Sequence, residues 1–151
     1  MTEVVEEIEN AIDFLKLNSS VKRVTVDLEE ALFKELLDCF VEGGDRRWWW
    51  ESFKDSSKSI LFENSLGFRK LIDIVPDPDE VVWFVVEDDQ SPFYPIYEAS
   101  TLDIMKIIGE CFSYEYYLVP KDKRWLICET HHNRMVGIGS EVISRIEEKG
   151  M

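Results

Sequence analysis

Over the first turns of the chain, apolar side chains return at helical spacing. Val4, Val5, Ile8, Ile12 and Leu15 share one face, which predicts an amphipathic helix from Thr2 to Leu17. Thr2 suits its N-cap, and Asn18-Ser19-Ser20 ends it. Val21 to Val26 alternates weakly, as a short strand would. A second stripe, Leu28, Leu32, Leu36 and Phe40, predicts a helix capped by Asp27. Its first turn carries Glu29 and Glu30, where the helix dipole favours acid, and Gly43-Gly44 closes it. From Asp45 to Ser59 no period is visible. RRWWWESF lies there, and three successive tryptophans cannot all face one core in a helix or a strand, so at least one belongs at a surface or boundary. Ile60-Leu61-Phe62 reads as a short strand, and Leu66 to Ile74 as a short helix stopped by Pro76 and Pro78.

At Val81 the pattern turns to β. VVWFVVE is a continuous apolar run between PDPDE and EDDQSP, as expected of a central strand buried on both faces. PFYPIYEA is also extended, but its two prolines place it at an edge or in a loop. Ser100, with Asp103 three residues on, resembles a capping box for the helix TLDIMKIIGECF, whose inner face holds Leu102, Met105 and Ile108, with Ile104 and Phe112 as further candidates. Three strands follow, at Glu115 to Val119, Trp125 to Thr130 and Arg134 to Ile138, joined by turns at PKDK and HHN. Ser140 caps a closing helix that runs to Lys149. This order predicts an α+β fold, with an antiparallel sheet of about four to six strands and helices mainly on one side. Residues 1–151 read as a single domain.

Charge narrows the partners. Lys and Arg number 17 against 31 Asp and Glu, a net charge of −14. A nucleic-acid partner is not expected, because a phosphate backbone requires basic clusters. A basic protein would be attracted and its encounter accelerated. A solvated acidic surface that only confers solubility accounts for the same composition. The N-terminus MTEVVEEIEN lacks the basic start and apolar run of a signal peptide, and no window reaches 18 consecutive apolar residues, so no membrane partner is expected. Cys39, Cys111 and Cys128 form no CxxC pair and have apolar neighbours. They read as reduced core thiols in a cytoplasmic protein.

Candidate chemistry concentrates in WLICETHHNRMVGIG, Trp125 to Gly139, which holds both histidines. As metal ligands it offers Cys128, Glu129, His131 and His132. Strand neighbours point to opposite faces, however, and no second ligand pair exists for a tetrahedral site. A hairpin with a polar turn fits the residues better. A Cys128–His131 nucleophile pair would need a positive setting, and this chain supplies a negative one. GxSxG, HExxH and phosphate-cradling loops are missing from the sequence, and it calls for no cofactor.

The acidic tract says more. From Leu71 to Met105 there are nine acidic residues and no Lys or Arg. Asp77, Asp79 and Glu80 precede the apolar strand, and Glu87, Asp88 and Asp89 follow it. A solvated rim is the bland explanation. The functional one is a docking surface for a basic partner, with Trp48 to Trp50, Tyr94 and Tyr97 as aromatic anchors and His131 and His132 at one end. EDDQ lacks the spaced D-x-D-x-D-G of a calcium loop. Arg46 and Arg47 beside the tryptophans would suit base stacking, but the net charge opposes it.

The stretch PIYEAS…IIGECFSYEYYLVPKDKRWLICETHHNRMVGIG resembles, over roughly Val81 to Gly139, a group of small bacterial proteins of unknown function. Their C-terminal halves run as a helix, an EYYxV strand, a turn, a WLxCExHH turn and a short strand ending in Gly. In size, charge and style, though in no diagnostic motif, the chain also resembles immunity proteins of polymorphic and contact-dependent growth-inhibition toxin systems, including the SMI1/KNR4-like superfamily. That resemblance implies a protein that blocks a toxin, often a basic nuclease, at or near its active site. It carries over no catalytic residues.

The leading expectation is a non-enzymatic immunity or inhibitor protein that binds a basic toxin through Asp77 to Glu80 and Glu87 to Asp89. The alternatives are a small metal-dependent hydrolase built on Glu129, His131 and His132, and a regulatory binding module with no toxin partner.

Overall fold

A computed structural model of the chain describes residues 2–44, 49–64, 66–111 and 114–149. Trp48, Arg46, Arg47 and Phe112, all named above, lie outside the described residues. Seven antiparallel strands form one sheet: β1 (Lys22–Arg23), β2 (Ser57–Leu61), β3 (Val81–Val86), β4 (Ile96–Ser100), β5 (Tyr116–Pro120), β6 (Leu126–Glu129) and β7 (Arg134–Ile138). Their order across the sheet is β1-β4-β3-β5-β6-β7-β2. The fold is α+β, with seven strands rather than four to six. Two ribbons at the margins make up the excess. β1 is two residues long, and β2 is an almost wholly exposed run that pairs with β7 from Ser57↔Ile138 to Leu61↔Arg134. β1 falls inside the weakly alternating stretch from Val21 to Val26, and β2 overlaps the strand read at Ile60-Leu61-Phe62 but starts earlier, at Ser57.

Strand alternation divides the core in two. Val82, Phe84, Val86, Tyr116, Leu118 and Ile127 face one layer, and Trp83, Val85, Tyr117, Val119, Leu126 and Cys128 face the other. The first layer is covered by α1 (Glu3–Leu15), α3 (Leu71–Ile74), α4 (Thr101–Gly109) and α5 (Ser140–Lys149). Gly137 brings α5 down onto β7, since a Cβ there would overlap Val142 and Ile146. The second layer is covered by α2 (Val26–Phe40), through Leu32, Phe33, Leu36 and Phe40, and by Trp49.

The helix starts follow hydroxyl caps. Thr2 accepts from Val5 N and Ser100 from Asp103 N. In α2 the cap is Thr25, not Asp27: Thr25 is extended at φ −64°, ψ 157°, and its hydroxyl accepts from Leu28 N, which leaves Asp27 in the first turn. A buried carboxylate fastens this helix to the sheet. Glu29 takes a bidentate pair from Arg23 at 2.9 and 3.0 Å and a bond from the Ile96 backbone N–H at 3.0 Å. Of the cysteines, Cys128 is buried, but Cys39 is exposed and Cys111 only half-buried, so the core assignment holds for one. Cys39 sits on the outer side of α2, between the inward-facing Leu36 and Phe40. Among the described residues no helix is long and apolar enough to cross a membrane.

Candidate functional site at the His131 end of the sheet

Strand direction sorts the candidate residues between two ends. β3 ends beside the start of β5, the end of β6 and the start of β7, as the pairs Val86↔Tyr116, Tyr116↔Glu129 and Glu129↔Met135 show. Glu87, Asp88, Asp89, Glu115, His131 and His132 therefore gather at one end. Asp77, Asp79 and Glu80 lie at the other, a strand's length of about 20 Å away. The two acidic loops do not form the single docking surface expected of them. Glu80 is moreover paired with Arg124 at 2.8 Å, and Arg124 also holds Asp122.

At the His131 end, the turn between β6 and β7 is built by Thr130 and Asn133. Thr130 N donates to Arg134 O, Asn133 N donates to Thr130 O, and Asn133 takes the left-handed conformation at φ 60°. The loop presents His131 and His132 to solvent, with ring centroids 3.9 Å apart. Trp50, half-buried, sets its ring edge-on to both imidazoles at 5.9 and 6.0 Å.

Beneath them lies Glu115, only 4% exposed. Its Oε2 accepts from Trp50 Nε1 at 2.9 Å, from the His131 backbone N–H at 3.0 Å and lies 2.9 Å from His131 Nδ1. Burial alone would push its pKa up. A hydrogen bond with the Glu87 carboxyl and the bonds from the backbone and ring of His131 outweigh that and hold it below the ordinary glutamate value.

Glu129, on the opposite face of the sheet, behaves the other way. Its Oε1 takes the Tyr116 hydroxyl at 2.6 Å, yet burial raises its pKa above the ordinary value and that bond offsets only part of the rise. A small cleft of about 100 Å³ opens beside it, between Ile108, Tyr114, Tyr116 and His131. A second, shallower cleft of about 370 Å³ lies between Glu87, Asp89, Tyr114, Glu115 and His131.

Several sequence expectations need correction. Tyr94 and Tyr97 are 1% and 0% exposed, so neither ring has a face for a partner. Tyr94 stacks on Trp49, and Tyr97 packs by Phe84. Asp88 is 1% exposed and structural: Thr2 Oγ1 donates to it at 2.6 Å and Gln90 N at 3.0 Å, tying the start of α1 to the loop. Glu129, His131 and His132 do not converge on a metal. Among the described residues no group of three or more His, Cys, Asp or Glu side chains is placed to hold one. The Glu129 carboxyl is held by Tyr116, and Nδ1 of His131 lies against Glu115. Cys128 sits on the other face from Glu129, and burial pushes its thiol well up, the wrong setting for a nucleophile.

Glu115 is the residue that sequence reasoning passed over, as the first letter of a strand. Only the pairing of β3 with β5, which sets it opposite Glu87, reveals its place.

The family model for a family of unknown function matches residues 1–150. The chain belongs to that family, DUF6756. No curated protein and no solved structure matches it.

Proposed function

We propose that this DUF6756 protein is a non-enzymatic interaction protein that binds a basic protein surface through the His131 end of its sheet. In its most specific form it is a cytoplasmic immunity protein that neutralises a basic bacterial toxin. One observation carries the reading. Exposed acid and aromatic character meet on one surface: exposed His131 and His132 flank half-buried Trp50, and exposed Asp89 and half-exposed Glu87 line the cleft that His131 shares. The exposed Glu3 and Glu6 of α1 extend the acidic side, since Thr2 and Glu3 are bonded to Asp88 and Gln90 of the same loop. Such a combination suits a docking site, where an aromatic anchor supplies affinity and charge steers the encounter. The net charge of −14 adds long-range attraction for a basic partner.

Affinity purification with the chain as bait recovers the partner, and calorimetry with the recovered partner tests the surface. Asp89→Lys is expected to weaken binding by about tenfold or more and to flatten its salt dependence. Asp79→Lys, at the far end, is expected to leave affinity unchanged. Equal affinity for the parent and the Asp89→Lys variant overturns the reading. For the toxin form, co-production of the chain is expected to restore growth to cells that make the partner.

A further inference from the structure

Glu129 stands where the fold calls for an apolar residue. It follows Ile127 by two positions on β6, an interior strand, so both point to the layer that α4 covers. A carboxylate in such a place is costly unless donors meet it. Its cross-strand neighbour Tyr116 donates to Oε1 at 2.6 Å, and no other donor reaches the carboxyl among the described residues. A carboxylate accepts up to about four hydrogen bonds, so the second oxygen is left for a donor from outside. The cleft of about 100 Å³ gives that donor access, because Glu129 forms part of its wall together with Ile108 of α4, Tyr114, Tyr116 and Asn133. The rings of Tyr114 and Tyr116 stand edge to face there, with centroids 6.4 Å apart and planes at 88°. A water molecule's share of the liquid is about 30 Å³, so the cleft takes about three groups of that size.

We infer that this cleft is a pocket for the ammonium end of a lysine side chain of the basic partner, with Glu129 as its counter-ion. Lysine fits better than arginine. Arginine gains most from pairing its planar fork with both oxygens of a carboxylate, and here Tyr116 holds one of them. An ammonium is a compact point charge that needs one carboxylate oxygen, and its last methylenes fill a cleft of this size. Aromatic walls add attraction for a cation. The pocket also adjoins the acidic cleft of Glu87 and Asp89, since Tyr114 and His131 line both. The inference rests on the docking surface proposed above and names a contact within it.

The test uses the full chain and the probe N-acetyl-lysine amide, followed by NMR at the Glu129 carboxyl carbon and the Asn133 backbone amide. A saturable shift is expected. The same probe acetylated on its ε-nitrogen, and so uncharged, should produce none, and N-acetyl-arginine amide should bind more weakly. Glu129→Gln should weaken both the lysine response and partner binding by about tenfold, the loss of one charge-assisted bond. Its amide still offers an oxygen to Tyr116, so this variant is expected to fold. Ile108→Trp is the second variant. Ile108 is half-buried at the cleft, and the larger ring should fill it and abolish the response while leaving the carboxyl in place. A shift that grows linearly without saturating, that appears equally with the acetylated or the arginine probe, or that survives both substitutions overturns the pocket. That failure is separable from failure of the docking surface: weaker partner binding in Asp89→Lys, without any lysine response, removes the pocket alone.

Discussion

The two ends of the sheet handle acidic residues in opposite ways. At the Arg124 end, carboxylates are matched by cations in water: Glu80 and Asp122 by Arg124, Glu98 by Lys121, and Glu35 by Lys123. At the His131 end, Glu115 and Glu129 are buried, and their hydrogen-bond partners include an indole, a backbone N–H, an imidazole and a phenol. Exposed ion pairs are weak because water screens them and both side chains lose freedom. Buried carboxylates are held firmly or not at all, because a lost partner is not replaced by solvent. Acid at the first end is solvation and local tethering. Acid at the second is a built arrangement whose geometry the rest of the fold maintains.

The sharpest way to break this contrast is Glu115→Ala. It strands Trp50 Nε1 and the His131 backbone N–H and frees the turn. We expect a loss of about 2 to 3 kcal/mol in chemical denaturation, together with a changed Trp50 fluorescence. The parent's acid sensitivity should report the same residue. Glu115 has a pKa lowered by folding. Its contribution is therefore present above the unfolded value of about 4.3 and lost as pH falls through the lower folded value. The Glu115→Ala variant should lose less stability than the parent across that fall. Equal acid profiles would show that the carboxylate does not anchor this end.

Next in size is Tyr116→Phe, which removes the donor to Glu129 on the other face. Denaturation should show a loss of about 1 to 2 kcal/mol at neutral pH. Glu129 is raised by burial and partly restrained by Tyr116, so the variant should raise it further, measurable by carbon-13 carboxyl titration. The sign of the linkage is opposite to that of Glu115. A carboxyl raised by folding contributes stability below its unfolded pKa, and that contribution is lost as pH rises through the folded value. The penalty of Tyr116→Phe should therefore shrink below about pH 4, where Glu129 is protonated in both states. A Glu129 value unmoved by the substitution would mean that the phenol does not stabilise the anion.

The strands of the C-terminal half were legible because they alternate or run apolar without a break. VVWFVVE is β3 as expected, between β4 and β5 and buried on both faces beyond its first residue. Helix α1 and the Ser100 cap of α4 were legible for similar reasons, a 3.6-residue stripe and a hydroxyl before it. The site was half legible. The HHN turn and Glu87 were read from local pattern, but Glu115 acquires meaning only from its register against Glu87, and register depends on pairings 28 positions apart in sequence. Tyr94 and Tyr97 misled for the same reason. Aromatics beside prolines read as exposed, and only the packing of α2 and Trp49 on Tyr94, and of the first layer with Phe84 on Tyr97, shows that they are not.

The smallest effect tests the other side of the contrast. Glu80→Gln removes the bidentate partner of Arg124, a pair whose bonds measure 2.8 and 3.2 Å. Geometry alone would rank it with Glu115. Exposure decides otherwise: the Arg124 and Glu80 side chains are 37% and 29% exposed, and Arg124 keeps Asp122 at 2.8 Å as a second partner. Water and Asp122 together replace what Glu80 supplied, so the expected change in denaturation free energy is below about 0.5 kcal/mol and should vanish in high salt. A loss as large as that of Glu115→Ala would mean that the Glu80–Arg124 pair fastens the loop before β3 to the turn after β5. The two ends would then differ in chemistry but not in importance. A null result, beside a large Glu115 effect, assigns the structural weight of this acidic chain to the few carboxylates that it buries.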